Sequence, residues 1–405
     1  MPARGGRFSG LTTRGRCLLA AGAATAVSAL VLDERDLLRV GAFVALLPLL
    51  ALLLADRTRR AVRAERTLTP ERVAAGGEVV VDLHITGGPL LGAVRLTDVV
   101  PDAAGPVPAA PPRFTVHRLS ARTGAHLRYP LVPGQRGLHR IGPLTGRATD
   151  PLGLAEFERE LAPASRLVAL PKVVALQGIP YAMGSGEGTP GAALAHQGPG
   201  RSDVLVRPYR FGDELRRVHW RSTARHDELM VRLEERPWHS STTVLLDRRD
   251  DAHRGRGAAS SLETAISMVA SVCTHLAGRG DVIEVVTEDG APLGTASGTA
   301  DALLDALAAL RPAARADLSG PPLGGDVLAV LGALGQGGVE ALVSRAPSGG
   351  HAVLLDVETW ERGGAPGSAR ASAAALVSAG WHVTVVPAGT APDRVWDQLV
   401  EAARP

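Results

Sequence analysis

The chain has 405 residues, 45% hydrophobic and 21% charged, with a formal net charge of +3. That length supports two or three domains with their own cores, and that balance excludes a disordered chain. Basic and acidic residues are interleaved with little excess, which disfavours a nucleic-acid-binding protein built around a basic patch.

At the amino end, Cys17 to Leu32 is an uncharged apolar run. Asp33-Glu-Arg-Asp36 interrupts it, and a second run extends from Val40 to Ala55. Each run holds 16 residues, a little short of the ~20 that span a bilayer, but flanking leucines and snorkelling arginines extend them. Pro48 is tolerable in a membrane helix. A second run so soon after the first argues against a cleaved leader. Arg4, Arg7, Arg14 and Arg16 precede the pair, and Arg57, Arg59, Arg60, Arg63 and Arg66 follow it. The intervening turn has no cationic excess, so residues 1–66 are expected to form a two-helix plasma-membrane hairpin with both chain ends cytoplasmic. The lipid bilayer is the first expected partner.

Residues 67–165 alternate short apolar runs with Gly and Pro. Val79–Ile85, Val94–Asp98, His126–Val132 and Gly137–Ile141 read as strands of a small all-β sandwich. Asp150-Pro-Leu-Gly-Leu154 reads as a compact turn. In it Asp150 accepts backbone hydrogen bonds, Pro151 fixes a dihedral and Gly153 supplies freedom.

Residues 166–236 form a connecting segment, loop-like from Gly184 to Gly200 and then densely charged: RPYRFGDELRRVHWRSTAR, Arg207 to Arg225. Arg207, Tyr209, Arg210, Gly212, Asp213, Arg216, His219, Trp220 and Arg225 are its candidate functional residues. Three readings stay open. Asp213 neutralises clustered arginines over packed Tyr209 and Trp220; or the arginines and His219 bind phosphate or an acidic partner; or Asp213 and His219 act as an acid/base pair in a hydrolase. The near balance of acids and bases favours the first.

Residues 237–405 alternate strands and helices. Thr242–Asp247, Asp281–Val286, His351–Asp356 and Trp381–Val386 read as strands, and Ser260–Leu276, Asp301–Leu310 and Ala369–Ser378 as helices. This is an α/β domain with a mostly parallel sheet. Asp247 ends the first strand, where such folds bind ligands, and is the candidate metal ligand. Arg248 and Arg249 follow it and oppose a cation. Cys17 and Cys273 lack metal or disulfide spacing. No phosphate loop, HExxH or GxSxG is present. No catalytic set, cofactor or metal is therefore expected.

The motif from Arg207 to Arg225, with Arg136-Gly137, Ile141-Gly-Pro143 and Asp150-Pro-Leu-Gly-Leu154 upstream, resembles the DUF58 family of membrane-associated bacterial proteins. The resemblance implies that the last domain is von Willebrand factor A-like. Such domains often bind partners through a metal held by Asp-x-Ser-x-Ser; here the pattern is Asp247-Arg-Arg-Asp-Asp251, with both serines absent. The resemblance further implies a membrane-anchored adaptor working with a MoxR-type AAA+ ATPase and other membrane proteins. A protein-interaction module is thus expected, ahead of a hydrolase or phospho-ligand enzyme using Asp213 and His219, with nucleic-acid binding at the membrane third.

Overall fold

The computed structural model describes residues 10–87, 93–101, 112–117, 119, 124–180, 183, 206–208, 220, 223–224, 229–232, 241–314, 317–361, 363–364 and 366–402. It divides into two compact units, Met1–Lys172 with Leu307–Leu310, and Val173–Ala306 with Arg311–Pro405.

The first unit opens with helices α1 (Thr13–Leu32) and α2 (Arg35–Ala61), both long and apolar enough to cross a membrane. Thr12 caps α1, its hydroxyl accepting from Gly15 N at 3.2 Å, and Asp33 in the left-handed region turns the chain. The helices meet on small residues. A Cβ at Gly22 would fall 2.5 Å from Ala45 N, and one at Gly41 would fall 2.7 Å from Ala26 N. Close backbone approach of this kind is how apolar helices associate where no hydrophobic effect drives them together. Val27, Leu30, Val31, Phe43, Leu46 and Leu53 are left exposed, as lipid-facing side chains would be.

Among the described residues ten strands follow: β1 (Arg63–Thr69), β2 (Arg72–Ala74), β3 (Val79–Thr86), β4 (Val94–Asp98), β5 (Arg113–Val116), β6 (Ala125–Leu131), β7 (Gly137–Ile141), β8 (Leu144–Thr149), β9 (Glu156–Ala162) and β10 (Ser165–Leu170). They form small sheets in the orders β1-β3-β6, β2-β10-β7 and β5-β4-β8-β9. Strand β3 shows why: Val79, Val81, Leu83 and Ile85 alternate inward onto Leu96, Leu131, Ile141, Leu144 and Leu167 in one apolar core.

Within this unit lies a buried ion pair. The Asp98 carboxylate receives the Arg66 guanidinium on both oxygens and the Tyr129 hydroxyl at 2.7 Å. Arg66 also donates to Ile141 O at 3.0 Å and Pro163 O at 2.6 Å, so one side chain ties β1, β4 and β7 and the turn before β10. Gly142 is needed here, since a Cβ would press 2.5 Å against the guanidinium. Burial, then the hydrogen bond to Asp98, pushes the Tyr129 phenol above its ordinary pKa, keeping it a donor.

The second unit is built on a six-stranded sheet of β13 (Ser241–Leu246), β14 (Val282–Thr287), β15 (Pro292–Ala296), β16 (Asp326–Leu331), β17 (His351–Leu355) and β18 (His382–Val386). Its order is β15-β14-β13-β16-β17-β18, parallel except for β15 at the edge. Strands β13, β16 and β17 are almost wholly buried, with Val244–Leu246, Val327–Leu331 and Ala352–Leu355 as apolar runs, as a parallel sheet covered on both faces requires. Helices α3 (Ser261–Gly278), α4 (Asp301–Ala309), α5 (Gln336–Arg345), α6 (Arg370–Ser378) and α7 (Pro392–Ala402) accompany it. Ser260 caps α3 by accepting from Glu263 N at 3.3 Å. Strands β11 (Val206–Pro208) and β12 (Met230–Arg232) pair antiparallel.

Replacing Asp98 by Ala strands the Arg66 guanidinium, an uncompensated charge worth about 3–5 kcal/mol. The expected outcome is a matching loss of amide-exchange protection through β1, β4 and β6; unchanged protection would contradict this role.

Candidate functional site

In the second unit the strand order reverses direction between β13 and β16, because β14 lies on one side of β13 and β16 on the other. Loops leaving the carboxyl ends of strands diverge at such a point and leave a crevice. Asp247 stands there, directly after β13, and is fully buried.

Its carboxylate is already occupied. Arg249 Nε donates to Oδ1 at 2.9 Å and Arg249 Nη2 to Oδ2 at 2.8 Å, a bidentate fork. Arg249 N adds a bond to Oδ1 at 3.1 Å and Gly332 N one to Oδ2 at 3.2 Å. The guanidinium also donates to Ala333 O at 3.1 Å, which joins the loops after β13 and β16. Burial disfavours the Arg249 charge, but the Asp247 bonds outweigh it and hold its pKa above the usual arginine value. Gly332 permits the approach: a Cβ would lie 2.2 Å from Ala252 O.

His253 braces the same loop. Its Nε2 donates to Asp247 O at 2.9 Å, a geometry that leaves Nδ1 as acceptor for the Ser261 hydroxyl at 3.0 Å in the neutral ring. Ser261 Oγ in turn accepts from Arg254 N at 2.9 Å. Burial is the main cause of a lowered His253 pKa, partly opposed by Asp247. His253 and Ser261 are both buried, so this pair is a strut rather than an exposed nucleophile.

Beside it, Arg248 meets the buried Glu288 at 3.2 Å and Asp289 at 3.8 Å, and Arg345 Nη1 donates to Glu288 O at 3.0 Å. After β17, Asp356 organises the next loop. Ser368 Oγ and Gly367 N each donate to it at 2.6 Å. Burial raises its pKa, but these bonds prevail and keep the carboxyl below its ordinary value.

Between these loops opens a cavity of about 310 Å³, lined by Arg249, Asp251, Leu334, Val357, Glu358 and Ser368 among others. Of its lining, Leu334, Leu354, Leu355 and Val357 are buried, whereas Asp251 and Glu358, which form its rim, are not.

A divalent cation does not fit at Asp247. The two serine positions of the Asp-x-Ser-x-Ser pattern are taken by Arg249 and Asp251, and the guanidinium stands where a cation would meet the carboxylate. Among the described residues no group of three or more His, Cys, Asp or Glu is placed to hold a metal.

Of the central motif, Arg207 lies within β11, and Trp220 is 70% exposed rather than packed beneath guanidinium stems. Tyr209, Arg210, Gly212, Asp213, Arg216, His219 and Arg225 lie outside the described residues. Asp150 lies in the first unit, where Oδ2 accepts from Leu152 N at 2.9 Å and Oδ1 from Ala155 N at 2.5 Å. Pro151 and Gly153 complete that turn, Gly153 at φ 70.

The loop 356–369 escaped the sequence reading as a site. A signal for it exists: Val-Leu-Leu-Asp occurs at 244–247 and again at 353–356, so two buried strands end in the same aspartate at the same edge.

Residues 205–324 match the model of the family described as "Protein of unknown function DUF58". No curated protein matches the chain. The matched segment contains β11, β12 and the Asp247–Arg249 loop.

Two outcomes follow from this geometry. Mg²⁺ or Mn²⁺ is expected to leave the melting temperature of the native chain unchanged. The double variant Arg249→Ser, Asp251→Ser, which frees Asp247 and adds two hydroxyls, should gain a metal-dependent rise. Scanning fluorimetry with and without chelator decides, and a rise in the unaltered chain would contradict the pairing. Secondly, a His with a depressed folded pKa leaves stability intact above its unfolded pKa of 6.5 and loses it as pH falls below that value. Amide protection along α3 should therefore weaken between neutral pH and pH ~5, and less steeply in His253→Gln.

Proposed function

We propose that this chain is a membrane-anchored, cytoplasm-facing protein-interaction module, binding rather than catalytic, whose docking face is the carboxyl edge of the six-stranded sheet. The observation that carries the reading is the Asp247–Arg249 fork beside an open cavity at the sheet's switch point. The buried polar groups Asp247, Arg249, His253 and Ser261 brace loops there, which leaves Asp251 and Glu358 to meet a partner and, among the described residues lining the cavity, no assembled nucleophile–base pair.

The strand order, with its antiparallel edge strand β15, supports a von Willebrand factor A-like reading of this domain. In this chain the internal guanidinium takes over the loop-organising part of the metal. The partner's contribution is then a side chain entering the cavity, not a carboxylate completing a coordination shell. A MoxR-type AAA+ ATPase is the partner that the family resemblance suggests. Arginines in the first turn or so of α1 and the last turns of α2, such as Arg14, Arg16, Arg57 and Arg60, support cytoplasmic chain ends.

A photo-reactive residue introduced at Glu358 of the full chain in its native membrane should crosslink to an AAA+ ATPase. The charge reversals Asp251→Arg and Glu358→Arg should each lower recovery of that ATPase, by about 10-fold if the rim is central to the contact. A crosslinked ATPase unaffected by the reversals would move the interface elsewhere; no ATPase at all would overturn the partner.

A further inference from the structure

The Asp150–Leu154 turn is bound to the start of the first membrane-length helix. Thr12 N donates to Leu154 O at 2.9 Å, and Thr12 Oγ1 donates to Gly153 O at 2.7 Å. Glu156 N donates to Gly10 O at 2.5 Å, and Leu11 bridges Ala155 in an isolated antiparallel pair. Packing follows the same path: Leu11, Ala51, Ala55, Leu154 and Ala155 form one buried apolar cluster. Gly15 is required in it, because a Cβ would sit 2.1 Å from Leu154 O.

These contacts fix the height of the turn. Counting from Leu37, about 20 residues of α2 rise ~30 Å, the thickness of a hydrocarbon core, and end near Asp56. Ala51 and Ala55 therefore occupy the last turn or so of the span, and the turn packed on them stands at the boundary between acyl chains and headgroups. At its tip Pro151 is exposed, and Leu152 is 62% exposed. Gly153 has open space around it. Arg14, Arg16, Arg57 and Arg60 are exposed at the same ends of the helices, suited to anionic headgroups.

We propose that this turn is a membrane foot: Leu152, with Pro151, inserts into the headgroup–acyl boundary and seats the β-strand region of the first unit against the bilayer. The occupant is lipid, because the turn that carries the tip packs, through Leu154 and Ala155, on two helices long enough to span. Asp150 serves the insertion by satisfying the Leu152 and Ala155 amides internally, so the backbone carries fewer bare donors into a poorly hydrated layer. The inference rests on the membrane-anchored reading above.

Two single-cysteine chains test it, Leu152→Cys and Phe43→Cys, each full length in a Cys17→Ala background and labelled with an environment-sensitive fluorophore. Cys273 is buried and stays unlabelled. Both are reconstituted into phosphatidylcholine–phosphatidylglycerol vesicles. The Leu152 probe should show blue-shifted emission, quenching by a shallow lipid-borne quencher and loss of iodide quenching. The Phe43 probe, at mid-helix, should respond to a deep quencher. An iodide-accessible Leu152 probe beside a lipid-embedded Phe43 probe overturns the foot alone. Iodide access at both positions overturns the membrane anchor and the foot with it.

Discussion

Burying a carboxylate requires that an internal cation or a set of hydrogen-bond donors meets it, and the most deeply buried carboxylate pairings of both units follow that constraint. Asp98 and Asp247 are each fully buried, and each is gripped by a guanidinium from its own unit, Arg66 and Arg249. Arginine suits the task because its planar fork satisfies two oxygens at once and keeps its charge. The remaining guanidinium hydrogens reach backbone carbonyls: Ile141 and Pro163 in one case, Ala333 in the other. A single side chain thereby joins loops that no strand pairing connects.

At the switch point this constraint has a functional side. A metal bound by hard oxygen ligands depends on its supply and exchanges with solution. An arginine two residues from the aspartate is always present and always charged. The loop after β13 is thus set in one arrangement, with His253 and Ser261 holding it from beneath and Gly332 admitting the neighbouring loop. Rigidity of this kind suits recognition, where ordering a surface on binding would cost affinity. It also leaves the cavity's chemistry to its rim, Asp251 and Glu358, rather than to the buried pair.

In the first unit small residues carry a comparable burden. Gly22 and Gly41 let α1 and α2 touch, and Gly15 lets α1 touch the Asp150–Leu154 turn. These contacts tie helices and strands together, so that two helices long and apolar enough to cross a membrane and a β-rich region share a defined spacing instead of a free linker. The exposed leucine at the turn's tip then has a reason: a solvent-facing turn would favour a polar residue there.

Much of this was legible in the residues alone. The two apolar runs, the alternation in β3, the repeated strand–helix pattern and the capped helix α3 follow from local periodicity and propensity, which neighbours in the chain suffice to express. Strand β16 and helix α7 were less visible: Asp326–Leu331 is bracketed by glycines that mask a short apolar run, and the Pro392 start of α7 reads as a turn. The charge network expected among the arginines from Arg207 to Arg225 falls mostly outside the described residues; buried pairs among those described lie at Arg66–Asp98 and Arg249–Asp247. Sequence by itself determined the strongly periodic helices and strands, where the apolar helices stand and which aspartate ends the first parallel strand. Only tertiary structure decided that Arg249 folds back onto that aspartate, and that the 150–154 turn docks on α1. The docked turn depends on segments that helix packing brings together, and the fork is held from the loop after β16 by Gly332 and Ala333; charge or apolar character says how strongly a residue pairs, not with which partner.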